Sequence, residues 1–299
     1  MGEARPYAGR ACRFYSGRMI GGGRIVATEK RMQELIKLAR AAQRTDGALP
    51  FSVYSSYREQ RILNAPITKA LLIFVLAGTK RLGRRDEINC PTGSFLFLSN
   101  VSDIDMRNIP AAEYFAVLIE FESSDFDCFK SQRSAETRYV QGNLDMRLAK
   151  ALMQFIEWAP YAPRDLWHLR RQELLQLIHL SGYGEVAGLV GRPNFSQRLH
   201  AIVNEDICHD WTMGRLAERL AISESTLHRR LKAEGTGIKS IVSRARLSQG
   251  LFLVQTTMDP IGRIAERCGY QSQSRFTDRF KQQFGITPRE LRKTREPGG

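Results

Sequence analysis

The chain has 299 residues, with 45 Lys and Arg against 31 Asp and Glu, and a formal net charge of +14. That length accommodates about two domains, and a 42% hydrophobic content excludes wholesale disorder. So positive a chain attracts polyanions, either nucleic acid or an acidic membrane face.

No run approaches the roughly 18 apolar residues of a membrane span, so no membrane partner is expected. The N-terminal residues lack the apolar core of a secretory signal. Cys12, Cys90, Cys128, Cys208 and Cys268 are odd in number, widely spaced and without a C-x-x-C pair. Neither a zinc site nor a disulfide framework is indicated, and a reducing cytoplasm fits. The charge is uneven: net +6 over residues 1–40, +1 over 41–196 and +7 over 197–299. A nearly neutral middle flanked by basic ends predicts a modular protein in which one module meets a polyanion.

In chain order, residues 1–27 are Gly- and Arg-rich without periodicity and read as a flexible basic tail. Gly21–Gly23 read as a linker, since no Gly-Lys-Ser/Thr follows to make a phosphate loop. Thr28 is a predicted helix cap, and Met32, Leu35, Ile36, Leu38 and Ala39 follow at helical spacing. That basic amphipathic helix either touches a membrane or docks on the next domain. From Phe51 to Glu122 the pattern turns to strands. The run Lys69–Leu82 breaks at Gly78, and Glu87–Asn89, Pro91–Asn100 and Glu113–Phe121 follow between polar turns. Such punctuation suggests an antiparallel sheet or a small barrel.

The helical period returns at Leu144–Ala159, with Leu144, Leu148, Ala151, Leu152, Phe155 and Ile156 on one stripe. A second helix, Arg164–Gly182, carries Leu166, Leu169, Leu174, Leu177 and Ile178. These helices either cap the barrel or form a dimer seam, since both arrangements bury the same stripe. The expected organisation is a tail (1–27), a β-rich regulatory domain with its N-terminal helix (28–142), a helical dimerisation or linker region (143–196) and a C-terminal domain (197–299).

The last hundred residues contain a duplication. Leu216-Ala217-Glu218-Arg219 recurs as Ile264-Ala265-Glu266-Arg267, and Leu227, Leu231 and Lys232 recur as Phe276, Phe280 and Lys281. Each copy reads as helix, tight turn, helix. Ser223 caps the second helix of the first copy, and Gly269 supplies the turn of the second. A small Ala inside each first helix permits close crossing, the steric requirement of a helix-turn-helix. A helix over about 237–257 joins the copies. At about 30 Å, its length is close to the spacing of successive major-groove faces.

Residues from about 204 to 292 resemble the DNA-binding domain of the AraC/XylS family of bacterial transcription regulators. The resemblance is carried by Ile261, Ile264, Ala265, Gly269, Tyr270, Ser272, Ser274, Phe276, Phe280, Lys281, Phe284, Gly285, Thr287, Pro288 and Arg292, all at the family's spacing. The middle of the chain weakly resembles the family's cupin-like regulatory barrel. The implied fold class is α+β: an N-terminal cupin-like small β-barrel with flanking helices, then an all-α double helix-turn-helix domain. No His precedes His168, so no metal site is expected in the barrel, and no cofactor or catalytic residue is indicated.

The resemblance implies DNA contacts from Ser225, His228, Arg229 and Lys232 in the first unit. In the second unit it implies Ser274, Arg275, Thr277 and Lys281. Two positions depart from the family: Asp278 stands where Arg is usual, and Gly250 replaces Ala in the linking helix. The implied function is a sequence-specific transcription regulator, an activator, whose two recognition helices enter adjacent major grooves of promoter or operator DNA. RNA polymerase and a second copy of the chain are implied partners, and the location is cytoplasmic, on the nucleoid. The N-terminal domain would respond to a small effector. The alternative is control through protein contact alone, by an antiactivator or chaperone.

Overall fold

The computed structural model describes residues 23–45, 47–100, 103–129, 137–190 and 194–297. Residues 1–22 of the expected tail, with Cys12, lie outside the described residues. The tail expectation overran at its other end. Helix α1 runs Gly23–Ala42, so Gly23 starts a helix rather than closing a linker.

Among the described residues, nine strands follow or interleave: β1 (Ser52–Ser56), β2 (Gln60–Ala65), β3 (Ala70–Ala77), β4 (Thr79–Leu82), β5 (Ile88–Pro91), β6 (Ser94–Leu98), β7 (Ile104–Ile109), β8 (Tyr114–Phe121) and β9 (Tyr139–Asn143). They form two antiparallel sheets, ordered β1-β8-β3-β6-β9 and β2-β7-β4-β5. The expected barrel is thus two sheets without closure of one into the other. The chain passes from the first sheet to the second at Gly78, whose φ is +74°. A Cβ there would lie 2.6 Å from the Ile109 carbonyl oxygen, so only glycine makes this corner.

The five-stranded sheet is buried on both faces, which explains why β3, β6 and β8 read as continuous apolar runs rather than as alternation. Leu72, Phe74, Phe95, Phe97, Val117 and Ile119 point into one core. There they meet α1, α2 (Met146–Trp158) and α3 (Trp167–Leu180). Ile73, Val75, Leu96, Leu98, Ala116 and Leu118 point into a second core, shared with the four-stranded sheet and the C-terminal region.

Helix α1 docks as a structural layer: Met32, Leu35, Ile36 and Ala39 are buried. Arg40 pairs with Glu113 at 2.5 Å and lies 5.3 Å from the Phe115 ring centre. Helix α2 buries the predicted stripe and caps the sheet. Helix α3 does so through Leu174, Leu175 and Ile178, with Leu177 half-buried against the same core, whereas Leu166 and Leu169 of the expected stripe are exposed. The 3-10 turn Arg164–Leu166 precedes α3 and lifts its first turn off the core.

The C-terminal helices are α4 (Phe195–Glu205), α5 (Met213–Arg219), α6 (Glu224–Ala233), α7 (Ile238–Thr256), α8 (Ile261–Arg267), α9 (Gln273–Phe284) and α10 (Pro288–Lys293). Helix α4 opens with a capping box from Asn194 and Gln197 and packs Phe195, Leu199 and Val203 with α5, α6 and the first half of α7. That is a third, separate core. The second half of α7, with α8, α9 and α10, belongs to the core shared with the sheets.

Gly250 sits where α7 meets α9. A Cβ there would lie 2.7 Å from Cε2 and 2.9 Å from Cζ of Phe276, a fully buried ring. Helix propensity alone favours Ala over Gly by about 1 kcal/mol. The contact reverses that sign, because the Phe276 ring is buried and held between the rings of Tyr270 and Phe280, with centroids 5.3 and 5.5 Å away. Gly250→Ala is expected to destabilise the chain by about 1–3 kcal/mol, read as a lower urea midpoint; an unchanged or raised midpoint would refute the close-packing account.

Candidate nucleic-acid interface

The two helix-turn-helix units repeat down to single hydrogen bonds. In the first, the Ile222 amide donates to the Ala217 carbonyl at 3.0 Å; in the second, the Tyr270 amide donates to the Ala265 carbonyl at 2.9 Å. Each turn needs one residue at positive φ: Ala221 at +52° and Gly269 at +74°. An L-residue in that conformation costs about 1–2 kcal/mol, so the first turn is the strained copy. Ser223 and Ser272 then cap the second helices, their hydroxyls accepting from the Thr226 and Arg275 amides.

In α6, Leu227 and Leu231 are buried, leaving Ser225, His228, Arg229 and Lys232 exposed. The Ser225 hydroxyl lies 3.0 Å from that of Ser223, which holds it at the start of the helix. Arg229 and Lys232 have no acidic partner among the described residues. Arg230, one position round, instead lies 5.2 Å from the Phe195 ring centre and belongs to packing.

In α9, Phe276, Phe280 and Phe284 are buried in an edge-to-face series, with centroids 5.5 and 4.6 Å apart. Ser274, Arg275, Asp278 and Lys281 are exposed, and Thr277 is half-buried. The structure therefore gathers seven of the eight expected residues on two exposed helical faces and sets Thr277 at the edge of the second. Arg279, the nearest cation to Asp278 in sequence, points to Gln282 at 3.1 Å.

The two units differ in what holds them. On the side of the first unit, Gln197 donates to the Asn100 carbonyl at 2.9 Å and Arg244 pairs with Asp103 at 2.6 Å, both beside the sheets, whereas the second unit packs on the strands themselves. Asn64 and Gln283 exchange hydrogen bonds, each amide nitrogen donating to the other residue's main-chain oxygen at 3.2 Å. The Tyr57 and Arg58 amides both donate to the Thr294 carbonyl. Leu63 packs where a Cβ on Gly285 would otherwise sit, 2.9 Å from its Cδ1.

Between the sheets, α3 and α7 lies a cavity of about 860 Å³. Its walls include Leu71, Ile73, Leu118, Trp167, Leu251 and Phe252; Lys69, Lys80, Arg171 and Arg267 are its cations, and Glu120, Glu122, Glu205 and Asp206 its carboxylates. Lys80 is 2% exposed, and burial holds its ammonium pKa down at about 8. It donates to the Asn108 side-chain oxygen at 2.8 Å and lies 5.8 Å from the Tyr114 ring centre. Arg171 pairs with the fully buried Asp125 at 2.6 Å. Sequence reading passed over Lys80, although strand parity signals it: Lys80 and Leu82 share the inward face of β4 and Arg81 does not. Among the described residues, no cluster of three or more metal-ligating side chains occurs.

Asp278 is a carboxylate on an otherwise cationic or neutral face. Asp278→Asn should raise affinity for random-sequence duplex about fivefold at low salt, from relief of repulsion of about 1 kcal/mol. Fluorescence anisotropy would measure it; unchanged or reduced affinity would instead mean that Asp278 accepts a hydrogen bond from a base.

Residues 216–294 match a family described as a helix-turn-helix domain. The HTH-type transcriptional regulator GadX of Escherichia coli is 35% identical over 99 residues, 33% of this chain and 36% of GadX. The HTH-type transcriptional activator CfaD of Escherichia coli is 29% identical over 97 residues, 32% and 37% of the two chains. The HTH-type transcriptional regulator YdeO of Shigella flexneri is 32% identical over 131 residues, 42% and 51%. The chain thus spans between a third and a half of these relatives. Over the whole fold it is similar to unsaturated-fatty-acid-bound ToxT of Vibrio cholerae, with a TM-score of 0.61, 13% identity, and 83% and 96% of the two chains covered. Through residues 216–294 the chain carries a helix-turn-helix domain similar to those of these regulators, on a fold similar to that of ToxT.

Proposed function

We propose that this protein is a sequence-specific DNA-binding transcription regulator, acting as an activator. The observation that carries the reading is the pair of helix-turn-helix units, each presenting unpaired cations on an exposed second helix. Ser225, His228, Arg229 and Lys232 form one contact face, and Ser274, Arg275, Thr277 and Lys281 the other. Helix α7, with 19 residues, spaces the two units over about 28 Å. Residues 23–142, with the helices of 143–190 that cover their sheet, form the regulatory domain, and 194–297 the DNA-binding domain. RNA polymerase and a second copy of the chain complete the active assembly, in the cytoplasm on the nucleoid. The protein has no enzymatic activity in this reading.

The test uses the full chain, because the second unit shares its core with the sheets and a 197–299 fragment would expose that face. Selection from random duplexes should enrich a defined sequence. Arg229→Ala should then relax preference at one or two positions, costing about 1–3 kcal/mol there. Lys281→Ala should weaken binding to all sequences alike and reduce the salt slope by about 0.9. No enrichment above bulk DNA would sink the proposal.

The regulatory input is a small amphipathic carboxylate held in the cavity with its charge at Lys80. The support is a cavity with apolar walls at Leu71, Ile73, Leu118, Leu251 and Phe252 and a buried ammonium that has no carboxylate partner among the described residues, together with ToxT structures containing an unsaturated fatty acid and a methylnaphthalenyl butenoic acid. Only charged Lys80 attracts the carboxylate, and its pKa is about 8. Affinity for a monounsaturated fatty acid should therefore fall about tenfold between pH 7 and pH 9, and Lys80→Met should abolish both the affinity and its pH dependence. Isothermal titration would show this. If no such acid binds while a protein partner is recovered on the N-terminal domain, control by an antiactivator or chaperone replaces this reading.

A further inference from the structure

The four-stranded sheet carries a row of buried polar side chains in register across three strands. Lys80 on β4 faces Asn108 on β7, and Asn108 faces Gln60 on β2. Lys80 is 2%, Asn108 0% and Gln60 2% exposed. The Lys80 ammonium donates to Asn108 Oδ1 at 2.8 Å. Asn108 Nδ2 donates to Gln60 Oε1 at 2.9 Å. Gln60 Nε2 donates to the Thr294 hydroxyl at 2.7 Å, and that hydroxyl donates to the Leu291 carbonyl in α10 at 2.6 Å.

The direction of this row is set at one end. A lysine ammonium only donates, so Asn108 must turn its oxygen toward Lys80 and its nitrogen toward Gln60. Gln60 must then turn its nitrogen toward Thr294. Each amide is oriented by the one before it, in a medium where an unpaired polar group costs more than a made bond gains. The row begins at the cavity wall and ends on the helix that follows the second recognition helix. Among the described residues, the first unit is tied to the sheet domain by Gln197 on the Asn100 carbonyl and Arg244 on Asp103, not by a row of buried amides, and its core is separate.

We infer that Gln60, Asn108 and Thr294 are positioning residues for the second helix-turn-helix: they fix α10, and with it α9, against β2, so that the charge state and contacts of Lys80 bear on the second recognition helix and leave the first unaffected. The inference rests on the proposed DNA-binding role, and its physical part is measurable without DNA.

Thr294→Val removes only the hydroxyl, Gln60→Met keeps side-chain length, and Thr294→Ser restores the hydroxyl. In the free chain, amide hydrogen exchange of residues 273–293 should quicken at least tenfold in Thr294→Val and Gln60→Met. Residues 213–233 should keep wild-type rates, and Thr294→Ser should match wild type throughout. On a duplex selected from a random pool, Thr294→Val should bind the complete site about tenfold more weakly. It should bind a duplex scrambled in the segment that α9 covers with wild-type affinity. Equal changes in both units, no change in either, or tighter binding to the complete site would overturn the inference. So would loss of cooperative folding in both variants but not in Thr294→Ser, since the row would then hold the sheet itself. Failure of the pool to enrich any sequence would count against the DNA-binding reading, while the exchange data would still decide the positioning role.

Discussion

A five-stranded sheet that is apolar on both faces cannot stand as an outer wall. Its two faces each carry rows of Leu, Ile, Val and Phe that water must not reach, at roughly 25 cal/mol for each Å² of apolar area. One face recruits α1, α2 and part of α3. The other recruits a second sheet that is too short to cover it, and the remainder is completed by α7 and the second helix-turn-helix. The placement of half of the helix-turn-helix region thus follows from the need to finish covering a sheet.

This asymmetry gives the duplicated units different chemistry despite a common plan. The first holds Leu227 and Leu231 in a small core of its own and tolerates a strained Ala221 in its turn. The second replaces those leucines with Phe276 and Phe280, adds Phe284, and builds a larger core that merges with the sheets. Larger rings need closer backbone approach, hence Gly250 beneath Phe276. Gly269, for its part, lies under the Arg246 guanidinium, which donates to the Ile207 and His209 carbonyls and so ties α7 to the loop before α5.

Much of this was legible in the sequence. The paired helices, the cap at Ser223, the turn at Gly269 and the linking helix all follow from local spacing and turn chemistry. The β3, β6 and β8 runs were legible as strands, and the Gly78 break marked a real corner between sheets. Long-range consequences were not legible. Gly250 reads as a helix weakness until Phe276 is seen above it. Leu166 and Leu169 fit a helical stripe, yet the 3-10 turn before α3 leaves them in solvent. Gln60, Asn108 and Thr294 are unremarkable polar residues far apart in sequence, and only strand register and the docking of α10 bring them together.

The division of cores also bears on how the DNA-binding region can be transplanted. Residues around α4–α6 carry their own interior, and an exchange here has to keep a few ties: Gln197 to Asn100, Cys208 to the end of α8, and the carbonyls that hold Arg246. The second unit is a shared wall: its inner surface is cut to Leu63, Asn64 and the sheet behind them. A chimera that keeps this sheet domain must keep α8–α10 with it, so new sequence specificity is more readily grafted through the first recognition helix than through the second.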